Sequence, residues 1–244
     1  KESIKSIKQK IGNYNLKPKK KLIWFHGSSV GEVLSVVPLI QELEKNNNID
    51  QILITSSTLS SGKVLSNIKF KKTVHQYYPI DVTFIAEKFL NYWKPKACIF
   101  IESEIWPNMV EKIKEKKLPL ILLNARITKK SFKRWFKIRL FSQNIFSKFD
   151  LCAPQNKETY YYLKRLGSKK LKNLGNLKLC DTNQKSLFKL KSSQKKFFKS
   201  KKVVLTGYST HPTEEEFCVD IFEKIRKKKN EILVLIPRHV ERAN

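Results

Sequence analysis

Three sets of side chains in this sequence are of the types and spacings that do chemistry. Glu32 closes the run His26-Gly27-Ser28-Ser29-Val30-Gly31-Glu32; Glu102 and Glu104 form an i, i+2 pair; Lys178 follows Gly175-Asn176-Leu177. A base, a second carboxylate and a cation would suit activation of a sugar hydroxyl as a nucleophile. The same residues would also serve as a buried Lys–Glu pair with no catalytic task. Glu32 likewise has two readings. It could be a general base, or a first-turn acid that favours the helix dipole behind a Ser28 or Ser29 cap. Ser28, Ser29 and Gly31 let the backbone pass close to a ligand, and a helix start offers free N–H groups to an anion. His26 and His75 read as strand ends. No metal-ligand spacing and no Asp-x-Asp pair occur, so metal-assisted transfer is not indicated and no cofactor is expected.

Such residues need a scaffold that brings them together. Residues 22–25 predict a buried strand, and helical spacing resumes at Val33, Leu34, Val37, Leu39, Ile40 and Leu43. Further strands are expected at 51–55, 74–79, 97–101, 119–123 and 150–153. Helices are expected between them, among them one ended by Pro95 and one whose first turn takes Pro107. Strand and helix alternate about every 25 residues, which implies βαβ units in a parallel, doubly wound sheet. Such sheets gather their strand ends, and their ligands, along one rim. The G-x-G-x-x-G and G-x-x-x-x-G-K-[ST] patterns are absent, which weakens dinucleotide oxidoreductase and P-loop readings. Residues 1–182 are expected as one Rossmann-like domain and 183–202 as a Lys-rich linker. Residues 203–244 would begin a second domain that repeats the opening strand, hydroxyl turn and acidic helix start. Arg238 and His239, after its second strand, would suit a phosphate or a carboxylate.

The chain has 244 residues, 50 basic against 21 acidic, a net charge of +29 and 41% hydrophobic residues. That apolar content supports a core and excludes a disordered basic protein. The charge suits nucleic acid, an anionic membrane surface or phosphorylated substrates, and compositional drift towards Lys would produce it too. Lys dominates over Arg, which disfavours specific DNA readout. Cys98, Cys152, Cys180 and Cys218 form no metal-type pair or disulfide framework, as in a reducing compartment. No apolar run approaches a membrane span. The start at Lys1 and the stop at Asn244 read as a fragment at both ends. Between Lys116 and Phe149 no acidic residue occurs, and 131–141 interleaves basic with aromatic side chains. Such a helix could lie on an anionic membrane surface. The expectation is instead a helix with an aromatic core face and solvated lysines.

Six motifs then occur in order: 26–32, Glu102-Ser-Glu-Ile-Trp-Pro-Asn108, Asn124-Ala-Arg126, Gly175-Asn-Leu-Lys178, Ser209-Thr-His-Pro212 and Pro237-Arg-His-Val-Glu-Arg242. Together they resemble the 3-deoxy-D-manno-octulosonic acid (Kdo) transferases of Gram-negative bacteria. The resemblance implies a GT-B glycosyltransferase that moves Kdo from CMP-Kdo to a 6′-hydroxyl of the lipid A precursor, lipid IVA, without a metal and with inversion. By motif, Glu32 would be the general base, and Glu102 and Lys178 the pair that stabilises the transition state. Ser28, Ser29 and Gly31 would contact substrate, and Arg238 and His239 would begin the CMP-binding surface. It also implies work at the cytoplasmic face of the inner membrane, an apolar anchor before Lys1 and more donor domain after Asn244. As a fragment the chain is expected to be inactive. Gly27 stands where the family more often has Ala. Two rivals are a basic α/β protein that binds nucleic acid and a GT-B enzyme that uses another nucleotide sugar.

Overall fold

The computed structural model describes residues 4–177, 192–228 and 230–238. The chain divides into two compact units, Lys1–Thr182 and Asn183–Asn244.

In the first unit, six strands form one parallel sheet. They are β1 (Leu22–His26), β2 (Gln51–Ser56), β3 (Thr73–Tyr77), β4 (Ala97–Ile101), β5 (Leu120–Ala125) and β6 (Leu151–Pro154). Their order is β3-β2-β1-β4-β5-β6. The chain starts at the middle, winds outward to β3, crosses back to β4 beside β1 and winds outward again. The direction reverses between β1 and β4, where open α/β sheets leave a crevice at their carboxyl ends. Register places His26 beside Thr55 on one side and Phe100 on the other.

The strands are apolar because helices cover both faces. Consecutive residues of a strand face opposite ways, so Trp24 and Phe25 enter different cores. Trp24 joins Phe89, Trp93, Phe100, Met109, Phe146 and Leu163. These come from α4 (Thr83–Trp93), α5 (Pro107–Glu115), α7 (Arg139–Phe146) and α8 (Lys157–Arg165) as well as the sheet. Phe25 joins Val33, Val36, Ile40, Ile54, Leu65 and Ile101, with α2 (Val30–Leu43) and α3 (Leu59–Ser66) on that face. A short basic helix, α1 (Ile4–Lys10), precedes the sheet and touches its edge, where the Tyr77 N–H donates to Gln9 Oε1 at 3.2 Å.

Caps and short polar residues stop and start these elements as their types dictate. Thr58, Thr128 and Asn156 each accept an orphan N–H at a helix start. Pro107 takes the first position of α5, whose next amides are held by Asp81. The stretch 131–141, expected as one helix, is broken at Ile138. There the backbone (φ −110°, ψ 51°) ends α6 (Lys129–Lys137) and begins α7. The bend lets Trp135 and Phe136 of α6 and Ile145 and Phe146 of α7 all reach the core.

The second unit contains α9 (Ser192–Ser200), β7 (Lys202–Thr210), α10 (Glu214–Ile225) and β8 (Glu231–Pro237). β7 and β8 pair in parallel, so the unit is a β-α-β repeat of the opening theme. Residues 183–191 of the expected linker lie outside the described residues. Its remainder, 192–202, carries α9. The hydroxyl run expected as a turn after β7 is partly strand: Thr206 to Thr210 remain paired, with a register shift at Ser209, whose φ is 59°.

Candidate active site

At the switch point, β1 runs out through His26 and Gly27 into α2. Ser29 is the N-cap of that helix and Glu32 its third residue, in a reciprocal capping box. Glu32 Oε2 accepts the N–H of Ser28 at 2.6 Å and of Ser29 at 3.3 Å. The Ser29 side chain adds a further hydrogen bond to this carboxylate. Burial and the like charge of Glu104 raise its pKa, against the lowering effect of the Ser28 and Ser29 amides and the Ser29 side chain. Of the two readings of Glu32 on the sequence, the structure shows the cap: the capping box fixes where the carboxylate points.

Gly31 lies on the exposed surface of this first turn, and a Cβ built there would meet nothing within 4 Å. The fold does not require glycine at this position, so the space above it is open to a ligand. Gly27 is different, because a Cβ there would stand 3.1 Å from Cβ of Glu32.

Glu104 anchors the other side of the crevice. Its Oε2 accepts from His26 Nε2 at 2.9 Å, Ser28 Oγ at 2.7 Å and Trp106 Nε1 at 2.7 Å. Burial would raise its pKa, but the hydrogen bonds and charge of His26 and the bonds from Ser28 and Trp106 outweigh that and lower it. His26 is fully buried, stacked on Tyr78 with ring centroids 3.7 Å apart. Its Nδ1 lies 3.0 Å from Thr55 Oγ1, which also receives Trp24 Nε1. Ser28 Oγ reaches Ser57 at 2.8 Å as well. This network of His26, Thr55, Tyr78, Glu104 and Trp106 was missed as a functional unit in the sequence. The available signal was that His26 and Trp106 flank the two acidic motifs.

Glu102 is buried at the end of β4, with φ of 55°. Its N–H donates to Leu123 O and its carbonyl accepts from Arg126 N, so its backbone is stitched to the end of β5. Asn124, also left-handed at φ 52°, accepts the N–H of Leu177 on Oδ1 at 3.1 Å. That bond brings the Gly175–Leu177 segment to the same rim. Lys178, its neighbour, lies outside the described residues, as do His239 and Cys180. Further along the rim, Arg126, Lys129, Asn156 and Asn176 line part of a polar recess of about 510 Å³. In the second unit, exposed Arg238 directly follows β8 and its N–H donates to Thr210 O. The structure therefore brings together Ser28, Ser29, Gly31, Glu32 and, by way of adjoining strand ends, Glu102. Among the described residues no three His, Cys, Asp or Glu side chains gather as a metal site, and no helix is long and apolar enough to cross a membrane.

Known proteins share both the fold and the sequence. Among solved structures, a UDP-N-acetylglucosamine 2-epimerase superposes with a TM-score of 0.60 at 15% identity, over 88% of this chain and 63% of that one. A UDP-GlcNAc 2-epimerase from Neisseria meningitidis gives 0.58 at 16%, over 88% and 65%. At such identities the likeness concerns the fold, which is α/β of the GT-B class. A "3-deoxy-D-manno-octulosonic acid transferase" of Rickettsia bellii is 37% identical over 99% of this chain and 58% of its own length. One of Haemophilus influenzae is 31% identical over 91% and 53%. The chain thus spans a little over half the length of these relatives. The family described as "3-Deoxy-D-manno-octulosonic-acid transferase (kdotransferase)" matches residues 5–180. The chain belongs to the Kdo transferase family.

Proposed function

We propose that this chain supplies the acceptor-binding domain and the base of a glycosyltransferase that moves Kdo from CMP-Kdo to lipid IVA, the lipid A precursor. The observation that carries the reading is the carboxylate of Glu32. It is held by two amides at the topological switch point, has a raised pKa and stands beside open space over Gly31. A base poised closer to neutrality is better matched to a sugar hydroxyl than an ordinary carboxylate.

In the proposed step, Glu32 takes the proton of the acceptor 6′-hydroxyl as its oxygen bonds to the anomeric carbon of Kdo. The bond from that carbon to the CMP phosphate oxygen breaks on the opposite face, which inverts the centre. The negative charge leaves with CMP. Ser28, Ser29 and Gly31 border the acceptor. Glu102 and Lys178 stabilise the charge that develops at the sugar, and Arg238 and His239 begin the surface for CMP. No metal takes part in this reading. Arg126 and Lys129 along the rim, within a chain of +29, suit an anionic acceptor. Such an acceptor places the work on the cytoplasmic face of the inner membrane.

The test is transfer itself. The chain would be incubated with CMP-Kdo and lipid IVA, by itself and with the C-terminal half of the Rickettsia bellii relative supplied, and products weighed by mass spectrometry. We expect a mass gain of one Kdo or more, lost in Glu32→Ala. Transfer that survives this substitution would remove Glu32 from the base role. Transfer from another nucleotide sugar in preference to CMP-Kdo would overturn the donor.

A further inference from the structure

Ser28 stands between Gly27 and the helix cap, and each of its polar atoms is held by the protein. Its N–H donates to Glu32 Oε2 at 2.6 Å, against 3.3 Å for the N–H of Ser29, so Ser28 supplies the closer of the two amides. Its Oγ donates to Glu104 Oε2 at 2.7 Å. A hydroxyl has one hydrogen to give, so Ser57 is the donor in the 2.8 Å contact between Ser57 Oγ and Ser28 Oγ. The Ser28 carbonyl accepts the Ser57 N–H at 3.3 Å and Ser61 Oγ at 3.1 Å. Both outer partners are themselves fixed. Glu104 is bound by His26 and Trp106. Ser61 is fully buried, 2.6 Å from the hydroxyl of Thr58, the cap of α3. Sheet order explains the two sides: β1 lies between β2 and β4. Ser57 and Ser61 follow β2 and Glu104 follows β4, so the loop after β1 is strung between the loops of its two neighbours.

We propose that Ser28 is a positioning residue for the Glu32 carboxylate, clamped by Glu104 on one side and by the 57–61 turn on the other. The clamp sets the Ser28 N–H, and with it the carboxylate, before an acceptor arrives. A group that must meet a hydroxyl within hydrogen-bond reach gains from a support that is locked in advance. Ser28 still borders the acceptor space, but both of its hydrogens are already donated and it has none to offer a ligand. Glu104 is the residue whose charge acts on Glu32, and the 57–61 turn carries no charged side chain. The purpose of the clamp rests on the reading of Glu32 as the base. The clamp itself is measured without transfer, so the two can fail separately.

The experiment is an NMR titration of side-chain carboxyl carbons in the chain labelled with isotopic glutamate, the Glu32 signal being assigned by its loss in Glu32→Gln. Ser28→Ala releases the hydroxyl contacts on both sides. Glu32 should then titrate at higher pH than in the parent, because the bond from the Ser28 N–H weakens while the charge of Glu104 remains. Ser28→Thr keeps the hydroxyl and should titrate as the parent does. Ser57→Ala, a gentler change that leaves Glu104 paired, should move the titration the same way by less. Ser66→Ala, whose hydroxyl serves the Lys63 carbonyl at the far end of α3, should leave it in place. In the transfer assay, Ser28→Ala should lower kcat about ten- to a hundredfold with KM for the acceptor unchanged, and Ser28→Thr should restore it. Melting curves of each variant confirm that the fold is kept. A Glu32 titration unmoved in both Ser28→Ala and Ser57→Ala overturns the proposal. So does a raised KM with kcat unchanged, which would make Ser28 a direct contact of the acceptor. Transfer that survives loss of Glu32 while the titration still shifts removes the base and leaves the clamp standing.

Discussion

Nε2 of His26 lies 2.9 Å from Oε2 of Glu104, across 78 positions of sequence and one pair of adjoining strands, β1 and β4. Glu104 is thereby committed to structure, bound by three donors and lowered in pKa. Glu32 is raised, first by its burial and then by the charge of Glu104. In the proposed mechanism Glu104 stays ionised and Glu32 is the carboxylate that exchanges a proton.

The first consequence is a pH profile. If Glu32 must be ionised to act, transfer should rise with pH through a value above the usual carboxylate range. Glu104→Gln removes the like charge and should shift that limb to lower pH. For stability the sign is opposite: a carboxyl with raised folded pKa favours the fold when protonated, and that contribution is lost as pH rises through its folded pKa. Rate-against-pH curves of both proteins check it; an unmoved limb would falsify the coupling.

Glu104→Ala should cost about 2–4 kcal/mol, because His26 Nε2 and Trp106 Nε1 lose their acceptor in a buried site. Urea unfolding reads this directly. Glu104→Gln, which keeps an acceptor oxygen, should lose less.

Gly31→Ala separates the ligand from the fold. Its Cβ would meet nothing within 4 Å, and alanine favours a helix over glycine by up to about 1 kcal/mol. The variant should melt no lower than the parent yet use acceptor less well, seen as a raised KM. Equal kinetics would mean that no ligand occupies that space.

Asn124 does two things, and two substitutions part them. Asn124→Gly keeps a left-handed backbone at φ 52° but loses the bond to Leu177 N. Asn124→Ala loses the bond and adds strain of about 1–2 kcal/mol. Both should impair transfer by releasing the segment before Lys178, while only the alanine variant should unfold markedly earlier.

Glu44, buried at the end of α2, accepts the N–H groups of Lys71 and Lys72 and the Thr73 hydroxyl. Burial would raise its pKa, but these bonds overcome it and hold it below the ordinary range. Its stabilisation should be complete above its unfolded pKa and lost as pH falls through the folded one. Melting temperature against pH, compared between parent and Glu44→Gln, should show the two converging in acid.

Much of this was legible in the chain itself. Strand–helix alternation is a local property, so apolar runs such as 97–101 and a cap at Ser28 or Ser29 announced the parallel sheet and the helix behind it. Six motifs in order pointed to the family. Burial is not local, and there the sequence was mute. His26 looked like a strand end and Glu104 like half of a pair, because only the β1–β4 neighbourhood sets one against the other. The break at Ile138 was hidden for the same reason: helical spacing continues through it, and the bend exists to let both flanking helices reach one core. Nor did spacing decide between cap and base for Glu32. A side chain's local role follows from its neighbours in the chain, but its proton affinity follows from whatever the fold packs around it.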